Sequence, residues 1–333
     1  QDTKDALVKS TPFGWLVVDG TMQGFSYAGY VWGKGDPKPA TSSDPAIARR
    51  YAPHGELTVW QEAAKMITDQ KRPELDLILA MAFGAPLVRF TGQSGVLLSA
   101  YSPESGVGKS TAMKVAQAVW GHPVEGVQAV TDTQNSVVAK LNQLKNLPVF
   151  WDELGVVDRS GQFIEFLFRL TQGKEKSRLA ADQTQRDPGS WQTALVAASN
   201  NGLLGQVAYN TKTTTAGLYR VFEFVVPPVA SSLETGFVSR LTGRLGENFG
   251  QAGLVYAKFL GERPEDIVKF VASIQDSLSK KLHSSNDERF WIAAMTCAYA
   301  GAHYANQLNL TQIDLKILLR FMMDALGKLR EMR

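Results

Sequence analysis

The sequence holds one cysteine in 333 residues, Cys297, inside an apolar run. No disulfide can form within the chain, which suits a reducing compartment. A buried, inert thiol is expected, because no histidine accompanies Cys297 in a nucleophile–base pattern. No apolar leader follows Gln1-Asp2-Thr3-Lys4, so no secretory signal is expected, and a start without methionine fits a piece cut from a longer polypeptide. Membrane-length apolar runs are missing too. Leu75 to Phe90 and Phe290 to Ala305 fall short of a bilayer span and are broken by Asp76, Pro86 and His303, so they read as buried helices, with no membrane partner. There is no internal repeat and no low-complexity tract. The net charge of +3 is too small to demand an acidic partner, although it permits one. Cytoplasmic placement is expected.

What is present is a core. Residues of the apolar class make up 44% of the chain and aromatics 10%, enough for one large domain or two ordinary ones. Residues 11 to 35, with Trp15-Leu16-Val17-Val18 and Tyr27 to Trp32 punctuated by Gly20 and Gly24, predict a small β region. Residues 33 to 45 read as a loop. Apolar residues at helical spacing predict a helix over 57–70, and Pro73 opens a second, to about Phe83. Short apolar runs then predict buried strands at 95–100, 147–151, 191–198 and 218–226, alternating with helices at 111–120, 135–144 and 162–170. That alternation predicts a three-layer α/β core with a mainly parallel sheet. From about Gly250 the pattern is helical, with long helices at 287–305 and 311–329. The expected division is a small β region at 1–50, a helical lead-in at 51–93, an α/β core at 94–250 and a helical domain at 251–333.

The chemistry sits at the ends of the strands. Directly after the first core strand comes Pro103-Glu104-Ser105-Gly106-Val107-Gly108-Lys109-Ser110-Thr111. Pro103 stands where the strict phosphate-loop pattern has its first Gly; the rest matches. Gly106 and Gly108 let backbone N–H groups curl around phosphate oxygens, Lys109 supplies a charge for the β- and γ-phosphates, and Ser110 offers a hydroxyl to Mg²⁺. Ser105, Val107 and Thr111 complete the expected ATP contact. The second strand ends in Asp152-Glu153: Asp152 is the expected Mg²⁺ holder and Glu153 the general base for an attacking water. The third ends in Ser199-Asn200-Asn201. Asn200 is the expected γ-phosphate contact and Asn201 a turn residue.

Two basic features lie between. Thr171 to Arg178 carries Lys174, Lys176 and Arg178, and a hairpin over 178–191 would carry Gln183, Gln185 and Arg186 near its tip. Such a tip would grip nucleic-acid phosphates, or it is a solvated loop. Arg220, alone before the fourth strand, is either an arginine finger for a neighbouring subunit or a structural salt-bridge residue.

Phosphate loop, acidic strand end, basic hairpin, asparagine and arginine, in this order, resemble the AAA+ ATPases of the third helicase superfamily, in particular the helicase domains of phage and mobile-element primase-helicases. The strings Gly55 to Trp60, Ser105 to Ser110, Gly173 to Arg178 and Ser190 to Thr193 carry the likeness to one group among them. The resemblance implies an AAA+ fold, ATP and Mg²⁺ as cofactors, a homo-hexameric ring with ATP between subunits and single-stranded DNA in the pore. It also implies a fused or separate primase-polymerase and, for a phage-encoded protein, the cytoplasm of a bacterial host. Lys109, Glu153, Asn200 and Arg220 would be catalytic, Lys174 and Lys176 would reach the neighbour's nucleotide with Arg178 beside them, and Gln183, Gln185 and Arg186 would touch DNA. Two alternatives stay open, a protein remodeller and a helicase loader or initiator. Gly155-Val156-Val157 after Glu153 lacks the aromatic of a remodeller's pore loop, and no helix-turn-helix pattern supports a loader.

Overall fold

The computed structural model describes residues 12–40, 44–129, 131–154, 160–175, 189–205, 217, 219–228 and 235–332. The chain opens with a meander of four antiparallel strands, β1 (Gly14–Val18), β2 (Thr21–Tyr27), β3 (Tyr30–Trp32) and β4 (Lys38–Pro39), in spatial order β1-β2-β3-β4. Both tight turns have two residues at positive φ, Asp19-Gly20 and Ala28-Gly29. Those angles give the turn twist that matches paired strands. The inner face is aromatic. Phe25 and Tyr27 are fully buried, Tyr27 donates to the Trp120 carbonyl at 2.6 Å, and the Trp15 indole donates to Pro86 O at 2.8 Å. The small sheet is thus bonded directly to the rest of the molecule.

Next come α1 (Pro45–Arg50), capped by the Asp44 carboxylate, α2 (Leu57–Thr68) and α3 (Pro73–Gly84), which runs into a 3-10 stretch, Ala85–Thr91. The core follows as β5 (Gly95–Tyr101), α4 (Lys109–Gln117), α5 (Gln134–Leu144), β6 (Val149–Trp151), α6 (Ser160–Gln172), β7 (Thr193–Ser199) and β8 (Val221–Val225). The chain closes with α7 (Thr235–Arg244), α8 (Gln251–Glu262), α9 (Pro264–Leu282), α10 (Arg289–Gln307) and α11 (Leu315–Glu331). The four core strands are all parallel, in order β6-β7-β5-β8. A single parallel bridge, Gln128 to Trp151, extends the sheet beyond β6. Every residue of β7, and all of β5 but Tyr101, is buried, as expected of strands covered on both faces.

The expected elements are found with shifted ends. The helix placed at 111–120 already begins at Lys109, and the strand placed from 191 begins at Thr193. Helices α1 and α7 stand where the pattern predicts none. Two buried indoles of the core are satisfied: Trp60 donates to Val115 O and Trp120 to Ala82 O, which ties α2, α3 and α4 together beneath the glycine loop.

Helix α3 is buried from Glu74 to Gly84, including two carboxylates. Asp76 is 4% exposed, and its Oδ1 has no partner among the described residues. Burial pushes its carboxyl up to about 7, with Glu74 and Asp314 adding to the rise and Lys71 opposing it. The unfolded chain ionises near 3.8, so stability is full in acid, falls as pH rises from about 4 to 7, and stays reduced above. Asp76→Asn is therefore expected to stabilise the fold at pH 8 by up to about 4 kcal/mol, with the gain fading toward pH 4. Urea unfolding of both proteins at pH 5 and pH 8 checks this; an equal effect at both would refute it.

Candidate functional site

Strand β5 delivers the chain to its carboxyl edge, where the Ser102 N–H donates to Ser199 O at 3.2 Å. The loop that follows is shaped by two glycines at positive φ, Gly106 at 76° and Gly108 at 99°. A Cβ on Gly106 would meet nothing, so its backbone angle and not crowding requires glycine there. Val107 between them is 3% exposed and plugs the loop into the core. Its carbonyl accepts from Arg72 Nη1 at 2.7 Å, while Arg72 Nη2 donates to Pro227 O at 2.8 Å and Nε to Glu74 Oε1 at 2.9 Å. Arg72 thus pins the loop to α3 and to the segment after β8. Helix α4 starts at Lys109 without a side-chain cap, so its first-turn N–H groups and the positive end of its dipole face the loop.

Lys109 is 7% exposed. Its Nζ donates to Ser102 O, Glu104 O and Asn200 Oδ1, each at 3.4 Å. Burial lowers its pKa, and Asp152 opposes that shift. Long contacts at a buried ammonium are weak, so an incoming anion has little to displace.

The acidic pair arrives on β6, separated from β5 by β7. Two strand spacings put it about 10 Å from the glycine-loop strand. That gap is bridged at its mouth by Asn200, exposed at the end of β7. The Asp152 carboxylate accepts from the Glu153 N–H at 3.1 Å, and Leu154 N donates to Ala198 O at 2.8 Å. Glu153 is exposed and held at φ 57°, an angle that costs a non-glycine residue about 1 kcal/mol or more. The Asn200-Asn201 turn is fixed from behind by Glu223, 7% exposed, which accepts from Ser99 Oγ at 2.9 Å, Leu203 N at 2.6 Å and Leu204 N at 3.2 Å. Burial raises the Glu223 pKa and those three donors oppose it.

One cavity of about 300 Å³ is lined by Ser105, Gly106, Val107, Gly108, Lys109, Ser110, Thr111, Asp152, Glu153 and Asn200, together with Ser199. All ten of the first residues were expected from sequence. Arg72, Glu74 and Glu223 were not; Arg72-Pro73-Glu74 reads only as a helix opening. The Ser110 hydroxyl and the Asp152 carboxylate are hard oxygen donors in one cavity, which fits a Mg²⁺ that keeps waters and takes its other ligands from a substrate. No cluster of three or more His, Cys, Asp or Glu stands among the described residues to hold a metal by itself.

The remaining candidates lie elsewhere. Arg220 precedes β8 at the opposite, amino edge of the sheet. Its Nη1 donates to Thr171 Oγ1 at 2.9 Å and its guanidinium lies 4.4 Å from the Phe168 ring and 4.8 Å from that of Phe290. No carboxylate pairs with it among the described residues; rings and a hydroxyl hold it. Lys174 is also at that edge, in an antiparallel bridge with Ser190. Lys176, Arg178, Gln183, Gln185 and Arg186 lie outside the described residues.

Residues 6–189 match the family described as Domain of unknown function (DUF927). The chain belongs to that family. No curated protein matches this DUF927 chain. Among solved structures it resembles SCCmec type IV Cch, an active helicase, at 19% identity and a TM-score of 0.71, over 96% of this chain and 60% of that one. The two share a fold, and this chain spans about 60% of the other's length. Weaker matches are the apo C-terminal region of NrS-1 (10% identity, TM-score 0.34, 89% and 77% covered) and the inhibitor-bound JCV helicase (10%, 0.28, 74% and 72%). No helix among the described residues is long and apolar enough to cross a membrane.

Proposed function

We propose that the chain is the ATP-hydrolysing motor of a DNA helicase of the AAA+ type, with residues 94–250 as the catalytic unit. The observation that carries this reading is the single cavity where the glycine loop, Lys109, Asp152, Glu153 and Asn200 meet. ATP enters with its phosphates on the loop N–H groups and the α4 N-terminus. Lys109 exchanges its three long contacts for β- and γ-phosphate oxygens and so releases Asn200, which turns to the γ-phosphate. Ser110 and Asp152 would hold Mg²⁺, which would supply neutralisation of phosphate charge. Glu153 accepts a proton from the attacking water as its oxygen bonds to the γ-phosphorus, and the bond to the β-phosphate oxygen breaks to leave ADP.

Arg220 and Lys174 cannot serve this cavity from the opposite edge of the sheet. In a hexameric ring Arg220 faces a neighbour's nucleotide after leaving the Phe168–Phe290 sandwich. Single-stranded DNA in the pore and a linked primase-polymerase belong to the same proposal, whose helicase part draws on the shared fold with Cch. A remodeller or a loader would use the same cavity without a DNA-driven cycle. ATP hydrolysis measured with and without single-stranded DNA separates these. A severalfold rise with DNA is expected. Hydrolysis indifferent to DNA would sink the DNA motor, and no hydrolysis by an assembled sample would sink the ATPase as well.

A further inference from the structure

A second cavity, of about 360 Å³, opens at the amino edge of the sheet, away from the glycine loop. Its lining includes Arg89, Lys145 and Lys174, with Asn146, Ser94 and Gln192, and no carboxylate among the described residues. Among the described residues the acid that partly offsets Lys145 is Glu175.

The cavity is built, not incidental. Asn146 is 5% exposed; its Oδ1 accepts from Trp15 N at 2.9 Å and its Nδ2 donates to Gln192 O at 2.8 Å. Arg89 Nη1 donates to Gln192 Oε1 at 2.5 Å, and this amide is the only partner it has among the described residues, which leaves most of its five donors unused. Burial lowers the pKa of both Arg89 and Lys145, so both cations are held partly out of water. Lys145 ends α5 at φ 59° and ψ −82°, a strained backbone for a residue with a Cβ. Lys145 Nζ donates to Asn142 Oδ1 at 2.7 Å and to Ser190 O at 3.1 Å, so neutral oxygens hold it as one holds Arg89, and an anion would balance the charge that those oxygens do not. The two indoles that line the cavity are spent: Trp15 is 6% and Trp191 2% exposed, with their N–H groups on Pro86 O and Leu170 O. No open ring remains to stack a base, so the chemistry on offer reads phosphate and not sequence.

We propose that this cavity is a phosphate-binding site, where Arg89, Lys145 and Lys174 grip phosphate oxygens of a single-stranded nucleic-acid backbone or of a small phosphate ligand. It does not depend on ATP hydrolysis at the first cavity.

The test is binding of a labelled oligothymidylate by fluorescence anisotropy across a KCl series, for the wild type, Arg89→Gln and Lys145→Gly. Lys145→Gly removes the charge and relieves the positive φ but also deletes the Nζ bonds to Asn142 Oδ1 and Ser190 O, so thermal unfolding of each variant separates a lost site from a lost fold. A second arm measures inorganic pyrophosphate binding by calorimetry in a Lys109→Ala background, which silences the first cavity. Each variant is expected to weaken DNA binding about three- to tenfold and to reduce the salt slope by about 0.7. Unchanged DNA binding with pyrophosphate binding lost in the variants assigns the site to a small phosphate ligand. If neither ligand distinguishes the variants from the parent, the proposal is overturned.

Discussion

Lys109→Ala is expected to lower ATP turnover by about 10²–10³-fold, the scale set by deleting one preorganised charge from a phosphoryl-transfer site. The side chain makes no short bond that the fold needs: its three contacts are all at 3.4 Å, two of them to loop carbonyls. Burial lowers the pKa of this cation, so its removal also relieves some desolvation. The melting temperature is therefore expected to move by only a few degrees, which separates a lost function from a lost fold. The glycine loop keeps its shape in the variant because Arg72 holds it through Val107 O and Pro227 O, not through Lys109. Steady-state hydrolysis alongside thermal unfolding decides the matter. Turnover within about threefold of the wild type would remove Lys109 from the mechanism and with it the proposed ATP cycle.

The same residues show what a sequence can and cannot reveal. The loop was legible because its parts are contiguous: two glycines, a lysine and a hydroxyl between an apolar strand and a helix. Strands β5 and β7 were legible for the same local reason, as short apolar runs bounded by turn residues. The order β6-β7-β5-β8 was not, since it depends on which distant strands pair. The Arg72 clamp spans 35 residues to Val107 and 155 to Pro227, and nothing in Arg72-Pro73-Glu74 hints at either partner. Glu223 reads as a lone charge in an apolar strand; only the fold puts Leu203 and Leu204 N–H groups on it. Arg220 was read as a finger or a salt-bridge residue, and its resting partners are the rings of Phe168 and Phe290, far from it in sequence.

Glu153→Gln is expected to cut turnover by about 10²–10⁴-fold, the range for removing a general base, with the KM for ATP nearly unchanged. Glutamine keeps the size and the backbone N–H that the Asp152 carboxylate accepts, and it loses only the ability to take a proton. The unusual backbone gives a second handle on the same residue. At φ 57° Glu153 is strained, whereas glycine is at ease there. Glu153→Gly should leave stability within about 1 kcal/mol of the wild type, since relief of strain is offset by a freer unfolded chain. It should nonetheless be as inactive as the glutamine variant. Low turnover in both, with both folded, assigns the activity to the carboxylate and not to the bend that presents it. If Glu153→Gln turns over ATP at close to the wild-type rate, water activation lies with another group and the proposed role of Glu153 fails.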